Sequence, residues 1–409
     1  MKILVVADGR SPTAKHWLES LKKLNHQVIL VSSYPCERME FLDDFFVLPI
    51  AFAQFAANQT ASPSNPASKK SDRKDLKRML IERFRSFFLK LRYLLGPLVI
   101  PYYGKKLSKI TARIQPDLVH ALRIPYEGMT ASFLPKKIPL AVSIWGNDLT
   151  LHASGSSAMK KMTIRTLERA DGLAADTLRD IRLGKGWGFR EYQFSMVVPG
   201  NGGIDFPALR IEAEREEENL RWLPENQDIV VNPRGFRPGS VRNDTFFRSI
   251  PLILNQCPNT LFVCFSMANQ PEALEWVKQL QIERQVLLLP LMPQEVLWAI
   301  FRRAKVTVSV SQHDGTPNSL LEAMACGCLP VTGDIESMRE WIVPGKNGLL
   351  VDPNDPEDLA RAVIIALTNE SLRESAAQLN DVRIRERADI SSVLTKIAVF
   401  YNQLKDNRN

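Results

Sequence analysis

The sequence predicts an α/β protein made of two doubly wound parallel-sheet domains, and three observations carry that prediction. Short apolar, β-branched runs alternate with helix-period stretches along most of the chain, which is the rhythm of βαβ units whose strands are buried on both faces. That rhythm breaks near the glycine-rich stretch GNGGIDF (200–206) and then restarts. The length, 409 residues, suits two to three domains with full-sized cores.

In the first half, KILVVAD (2–8), QVILVSS (27–33), DLVHAL (117–122) and PLAVSIWG (139–146) read as strands, and GLAADT (172–177) and FSMVVPG (194–200) carry the pattern more weakly. Helical spacing falls at 12–24 and 156–170. After an acidic, helix-like stretch at 207–224, strands are expected at 228–235, 260–266, 285–290, 305–311 and 328–334, with helices at 270–281, 293–303 and 318–327 between them. A last helical pattern covers 389–404. The expected domains are therefore 1–206, interrupted by an insertion at 51–110, then 207–387, with 388–409 as a C-terminal helix that can pack back on the first domain. Ligands of such sheets bind beyond the carboxyl ends of the strands at the topological switch point. Two facing sheets would place the main cleft between the domains.

Composition narrows the function classes. With 45% hydrophobic and 24% charged residues the chain is an ordinary globular sequence, and no apolar run is long enough to span a bilayer. MKILVVADGR is charged too soon for a signal peptide and reads as a first strand. The cysteines at 36, 257, 264, 326 and 328 fit neither a disulfide framework nor a zinc site, so a reducing cytoplasm is expected. Cys326 and Cys328 read as small packing residues. His16, His26, His152 and His313 lack metal-like spacing, no Asp-x-Asp occurs, and no metal is expected. GxGxxG is absent, which argues against a dinucleotide dehydrogenase.

The net charge of +8 is concentrated. Residues 69–109 hold 13 Lys/Arg against three Asp/Glu, leaving 40 against 42 elsewhere. Within that segment Leu76, Leu80, Phe84, Phe87, Phe88, Leu91, Leu94 and Leu95 recur at helical steps among Arg83, Arg85, Lys90 and Arg92. A basic helix over 76–106 suits an anionic membrane surface, and the same spacing also fits a core helix with a basic solvated side. No nucleic-acid-binding module accompanies the charge, so nucleic acid is not an expected partner. Upstream, 58–74 is polar and Pro/Ser-rich and reads as a loop.

The most informative stretch is SVSQHDGTPNSLLEAMACGCLPV (309–331). A strand ends, an acid follows on a Gly/Pro turn, and a helix begins near Asn318–Ser319, both good capping residues. Glu322 then lies about a turn inside, so Asp314 and Glu322 can reach different parts of one elongated ligand, and exposed amides at the helix start suit a phosphate. By spacing alone the same residues also fit a loop acid and a surface helix glutamate.

This stretch resembles the signature of the retaining family 4 glycosyltransferases of the GT-B fold: an acid, seven residues, a Glu, then Ala-Met-Ala-x-Gly-x-Pro-Val, matched by Glu322, Ala323, Met324, Ala325, Gly327, Pro330 and Val331. Asp117-Leu118-Val119-His120, Trp145-Gly146-Asn147-Asp148, Asn201-Gly202-Gly203-Ile204-Asp205 and Asn347-Gly348-Leu349-Leu350-Val351 resemble further family motifs in the family's order. The resemblance implies an acceptor-side first domain and a nucleotide-sugar-binding second domain. It implies that Glu322 binds the donor ribose, that Asp314 contacts the donor sugar, and that amides near Asn318 and Ser319 face the diphosphate. Arg234 would stabilise the charge growing on the leaving diphosphate. Gly9 would let a loop approach the phosphates, Met292 lies near the turn that holds the base, and His120 and Asp148 would approach the sugar or acceptor.

Departures from the pattern are also visible. Asp314 replaces a Glu, Pro317 a Gly and Trp145 a His, and the DGRSPT loop has one glycine. The lysine expected about five residues after the arginine is missing, with Gly239 in its place and Arg237 or Arg242 as substitutes. The implied activity is transfer of a sugar, with retention, from a nucleotide-diphosphate sugar to a glycan or lipid-linked acceptor. It needs no cofactor beyond that donor, and the enzyme would sit in the cytoplasm or peripherally on the inner face of the cell membrane. The alternatives are a catalytically weak relative acting as a binding or assembly partner, and a nucleotide-sugar epimerase of the same fold.

Overall fold

The computed structural model describes residues 1–51, 53 and 85–406, and of 85–90 the backbone alone. The chain forms two compact units: Met1–Ala175 with Asp180–Val197 and Lys396–Asn409, and Asp176–Arg179 with Val198–Thr395.

The first unit is built on β1 (Lys2–Ala7), β2 (Gln27–Ser32), β3 (Asp44–Val47), β4 (Leu118–Ala121), β5 (Leu140–Ile144), β6 (Gly172–Ala175) and β7 (Phe194–Val197). They form one parallel sheet in the order β3-β2-β1-β4-β5-β6-β7. Ile3 pairs with Val28 on one side and Leu118 on the other. Ile3, Leu4, Val5 and Val6 are fully buried, which is why an unbroken apolar run, not an alternating one, marks this strand. α1 (Pro12–Lys23) starts where the Ser11 side chain accepts from Ala14 N–H and Pro12 supplies a helical φ, and it ends on Lys22 and Lys23.

α2 (Arg85–Ile114) continues eight residues past the end of the helix expected over 76–106 and runs through Pro97 and Pro101. Its buried large apolar side chains, Tyr93, Ile100, Leu107 and Ile114, fall at every seventh position. Two glycines let it pack closely: a Cβ on Gly96 would lie 2.7 Å from the Tyr126 ring, and one on Gly104 would lie 2.6 Å from Phe133. Of the face expected at 76–106, Leu76, Leu80 and Phe84 lie outside the described residues, as do the side chains of Phe87 and Phe88. Leu91, Leu94, Leu95, Leu98 and Tyr102 are exposed along α2. α3 (Ser157–Arg169), capped by Ser156, and α4 (Leu178–Gly186) follow.

The second unit carries β8 (Asp228–Asn232), β9 (Thr260–Cys264), β10 (Val286–Leu288), β11 (Val306–Ser309), β12 (Leu329–Gly333) and β13 (Leu349–Val351), parallel in the order β10-β9-β8-β11-β12-β13. Its helices are α5 (Phe206–Glu217), α6 (Asn243–Leu254), α7 (Pro271–Gln279), α8 (Gln294–Arg303), α9 (Asn318–Ala325), α10 (Glu336–Arg339), α11 (Pro356–Thr368) and α12 (Glu370–Ala388). Successive side chains of a strand point to opposite faces. Val230 therefore joins Phe246, Phe262 and Val308 in one core layer, while Ile229 and Val231 join Phe301 and Ala323 in the other.

The last helix, α13 (Ile390–Asp406), contributes Ile397, Phe400, Tyr401 and Leu404 as buried residues of the first unit. Gly172 faces Phe400 and Leu404 so closely that a Cβ there would meet both at 2.7 Å. Among the described residues no helix is long and apolar enough to cross a membrane. The five cysteines are unpaired, and Cys328 Sγ turns to the carbonyls of Phe301 and Ala304. In each parallel sheet the order in which strands are added reverses once, at β1/β4 and at β8/β11, so each unit has one switch point.

Candidate functional site

In the second unit the loops leaving β8 and β11 carry Arg234 and Asp314. The Arg234 guanidinium is paired with Asp314 Oδ2, and both side chains are largely buried. Ser311 Oγ donates to the same oxygen at 3.0 Å, Gly315 N–H donates to Oδ1 at 3.1 Å, and Ser337 Oγ donates to the Asp314 carbonyl at 2.8 Å. Arg234 is fixed from behind, its N–H donating to Asn232 Oδ1 at 3.2 Å. Its Nε is buried with no hydrogen-bond partner. An unmet donor on a buried cation is costly, and an anionic ligand would satisfy it.

The loop between Asp314 and α9 is held by Asp176. Thr316 N–H donates to Asp176 Oδ2 at 3.1 Å, Thr316 Oγ1 donates to the Asp176 carbonyl at 2.8 Å, and Trp341 Nε1 donates to Thr316 Oγ1 at 2.9 Å. A Cβ on Gly315 would lie 2.6 Å from the Asp176 carboxylate, so the position needs glycine.

Asn318 and Ser319 do not cap α9. Pro317 occupies the cap position and makes no side-chain cap bond. Pro317 contributes only its carbonyl, which accepts from Leu320 N–H at 3.0 Å. Asn318 and Ser319 thus fall in the first turn, and Ser319 Oγ is buried without a partner. Uncapped amides and an unmet hydroxyl at a helix start favour an anion.

Glu322, one turn on, is buried at 3% exposure. Gln294 Nε2 donates to its Oε1 at 2.5 Å, and the Trp298 indole N–H faces the same carboxyl without closing a bond of normal geometry. Burial pushes the carboxyl up to about 7, against the lowering pull of these donors. Met292 packs partly buried against the layer of Phe301 and Leu289.

Of the two candidates for the missing lysine, Arg242 is committed elsewhere. Its guanidinium donates to both Asp244 oxygens at 2.8 and 2.7 Å and also to Asn354. Arg237 keeps much of its surface in solvent, yet the charge of Arg234, with some desolvation by the loop, holds it down to about 10. Asp314 pulls the other way. Arg237 is thus the cation electrically coupled to the Arg234–Asp314 pair.

In the first unit the expected residues divide differently. Gly9 N–H donates to Ser32 Oγ at 3.1 Å, and a Cβ there would meet Cys36 Sγ at 2.5 Å. The glycine is needed for this packing, and its amide is already engaged. His120 is fully buried, with Nδ1 against Tyr401 Oη at 2.6 Å and Nε2 against Ser143 Oγ at 2.9 Å. Burial lowers its pKa to about 3, so the ring is neutral and both nitrogens are occupied within the core.

Asp148 is equally buried. It accepts from Arg123 Nη2 at 2.6 Å, from Arg123 Nε at 3.0 Å, and from the N–H groups of Ile124 and Trp145. In place of the direct approach expected of His120 and Asp148, the group turned outward is Arg123, whose side chain is 33% exposed. Its position at the end of a switch-point strand was the available sequence signal for it, whereas Asp176 and Gln294 left none.

Two Rossmann-like units of parallel strands, the second with a cation–carboxylate pair and an uncapped helix start at its switch point, define the GT-B class. Sequence comparison agrees in both halves: the family model described as glycosyl transferases group 1 matches residues 244–380, and the one described as glycosyl transferase 4-like matches 61–177. The chain belongs to the family 4 glycosyltransferases of the GT-B fold.

It is 26% identical over 321 residues to the N-acetyl-alpha-D-glucosaminyl L-malate synthase of Bacillus anthracis, covering 75% of this chain and 80% of that one. It is 29% identical over 141 residues to a D-inositol 3-phosphate glycosyltransferase of Thermomonospora curvata, a match covering 34% of this chain and 32% of that protein. Against the solved structure of Anabaena HepE in complex with UDP and glucose, the TM-score is 0.67 at 15% identity, covering 98% of this chain and all of the other. That likeness is one of fold.

Proposed function

We propose that the protein transfers a sugar, with retention of anomeric configuration, from a nucleotide-diphosphate sugar to a hydroxyl acceptor. The observation that carries this reading is the Arg234–Asp314 pair beside the uncapped start of α9. Arg234 has an unmet donor and Arg237 adds a second positive charge, a suitable setting for a diphosphate. In this reading the diphosphate takes the guanidinium and releases Asp314 to the donor sugar. Ser319 Oγ and the first-turn amides of α9 hold the remaining phosphate oxygens, and Glu322 accepts from the ribose hydroxyls as its proton leaves. The acceptor oxygen attacks on the face from which the diphosphate departs. The growing negative charge is met by Arg234 and Arg237, and the departing phosphate takes up the acceptor proton. None of these steps calls for a metal or a separate cofactor. HepE, which is similar in fold, has been solved in complex with UDP and glucose, which supports a nucleotide donor.

Titration calorimetry with UDP, GDP, ADP and CDP on wild type and Glu322→Ala tests the reading. Micromolar binding of one nucleotide, lost in the variant, is expected. If a folded protein binds none of them, the reading passes to a catalytically weak relative that acts as a binding partner.

The exposed Leu91, Leu94, Leu95, Leu98 and Tyr102 of α2, with Lys105, Lys106 and Lys109 following, favour docking on the anionic inner leaflet of a cell membrane and a lipid-linked acceptor. Equal sedimentation with neutral and anionic vesicles would remove that part.

A further inference from the structure

The carboxyl ends of the first unit's strands gather three arginines around one tyrosine. Arg10, in the loop after β1, stacks its guanidinium 3.8 Å from the ring centroid of Tyr34, in the segment after β2. Arg92, on α2, lies 5.8 Å from the same centroid and 4.2 Å from that of Tyr126. Arg123, at the end of β4, is electrostatically coupled to Tyr34 as well. The switch point between β1 and β4 is where this fold places a ligand.

The three cations differ in how they are neutralised. Asp8 takes Arg10 through Nε at 3.0 Å and Nη2 at 2.9 Å, and Asp148 takes Arg123. Arg92 has no ion pair among the described residues, and its Nε is buried without a hydrogen-bond partner. Of the neighbouring acids, Asp8 keeps 26% of its side chain exposed beside Arg10, and two others lie underneath. Asp148 has no exposed surface, and Glu127, 5% exposed, accepts from Ser33 Oγ at 2.5 Å. His152 is held neutral, pushed down to about 4 by burial and by the charge of Arg123, and Tyr93 Oη closes on its Nδ1 at 2.6 Å. The outward surface therefore carries guanidinium edges, tyrosine rings and an Asp8 carboxylate already paired with Arg10.

The backbone is also set for this purpose. Tyr126 adopts φ 68° and ψ −55°, a region non-glycine residues rarely occupy and one that concentrates at ligand sites. Its hydroxyl donates to the Arg92 carbonyl at 3.3 Å, and Gly96 lets α2 come close enough for that contact. Stacking on rings fixes the plane of a guanidinium while leaving its N–H edge for a ligand.

We propose that this surface binds an oxyanion carried by the acceptor, a phosphate or carboxylate group, with Arg92 as its principal partner and Arg10 and Arg123 on either side. The word acceptor rests on the glycosyl-transfer reading above, whereas the anion site rests on the geometry of the first unit alone.

The test is calorimetric titration of inorganic phosphate, and separately of succinate, into Arg234→Ala, a background that removes the second unit's own diphosphate contact. Binding of either anion is expected there, weakened about tenfold or more by adding Arg92→Gln and partly restored by Arg92→Lys, since a guanidinium–oxyanion contact is charge-assisted. Preference for phosphate assigns a phosphate-bearing acceptor, and preference for succinate a carboxylate. No binding of either anion, or binding indifferent to Arg92→Gln, would overturn the proposal. Should Arg92→Gln not fold, Arg92→Lys and Arg10→Gln carry the same comparison. Nucleotide titration of the wild type separates the two readings. Nucleotide binding without an Arg92-dependent anion site sinks this inference alone. An Arg92-dependent site without nucleotide binding sinks the transferase reading and leaves the anion site standing.

Discussion

The Arg234 guanidinium is closed onto the Asp314 carboxylate across the two loops of the second unit's switch point. Each is largely buried, so each is the other's counter-charge until a ligand intervenes. Removing one partner of such a pair strands the other, and the two variants should therefore behave oppositely toward a nucleoside diphosphate. Arg234→Ala is expected to lose binding and to cut kcat/KM by about a hundredfold, roughly 2.7 kcal/mol of transition-state stabilisation. Asp314→Asn releases the arginine and is expected to bind the nucleotide at least as well as wild type while losing turnover. Calorimetry beside initial rates decides, and an Asp314→Asn protein with weakened binding and intact turnover would contradict the assignment.

Glu322 makes stability depend on pH. Its folded pKa, pushed up to about 7 by burial, lies above the ordinary 4.5, so between those values the folded chain holds a proton that the unfolded chain has lost. The resulting stability is complete below about 4.5 and is lost as pH rises through 7. Scaled at 1.36 kcal/mol per unit, the full effect is about 3 kcal/mol. Urea unfolding at pH 5 and pH 8 should show a drop in wild type that Glu322→Gln lacks. On the proposed reading a ribose bound at Glu322 stabilises the ionised form, so the difference in nucleotide affinity between wild type and that variant should grow over the same range.

Arg237 and Arg242 should separate cleanly. Arg237→Ala is expected to weaken nucleoside diphosphate binding by about fivefold to tenfold, about 1 kcal/mol or slightly more, the scale of one partly solvated charge contact. Arg242→Ala breaks the pair with Asp244 and should leave nucleotide affinity within about twofold, its cost falling on stability and amounting to about 1 kcal/mol or less. A reversed ranking in titration would reassign the second cation.

His120 is expected to act on folding and not on chemistry. Its pKa, lowered to about 3 by burial, keeps the ring neutral in the folded chain while the unfolded chain takes up a proton below about 6.5. Stability is therefore lost as pH falls from 6.5 toward 3. His120→Gln should lower the melting temperature at pH 7, because Tyr401 and Ser143 lose a well-placed partner. It should also flatten the acid side of the stability profile. Turnover per folded molecule should change by less than about threefold; a steep fall in kcat at full folding would return His120 to the chemistry.

Much of the architecture is legible from strands such as β1 and β8, because burial on both faces writes an unbroken apolar run. β3 is not: DFFV is short and only partly buried at the sheet edge, and no run marks it. α2 is legible only in part: the helical pattern expected over 76–106 gives no sign that the helix continues to Ile114, packed closely through Gly96 and Gly104. In the second unit Asp314 and Glu322 are local to one signature, whereas Arg234, 80 positions from Asp314, stands on the loop after β8 and is marked only by its own short motif. Pro317 shows the limit, since it takes the cap that Asn318 and Ser319 are chemically suited to fill. In the first unit, a histidine and an aspartate at motif positions look reactive until their partners are known. The decisive partner of His120 is Tyr401, 281 positions away, and Arg92 is recognised only once α2 has brought it to Tyr34.

Tyr401 has a consequence for how the chain comes into being. Its hydroxyl serves His120 and receives the Trp17 indole N–H at 3.2 Å, and its ring fills the first unit's interior with no exposed surface. On the ribosome, α13 is made after every strand of both sheets. Until then His120 and Trp17 face an unfilled core, with polar groups that have no partner. The first unit to be synthesised is thus among the last to be completed. A stop codon a few residues before Tyr401 would leave all thirteen of the described strands encoded and still deny the first sheet its closing side chain.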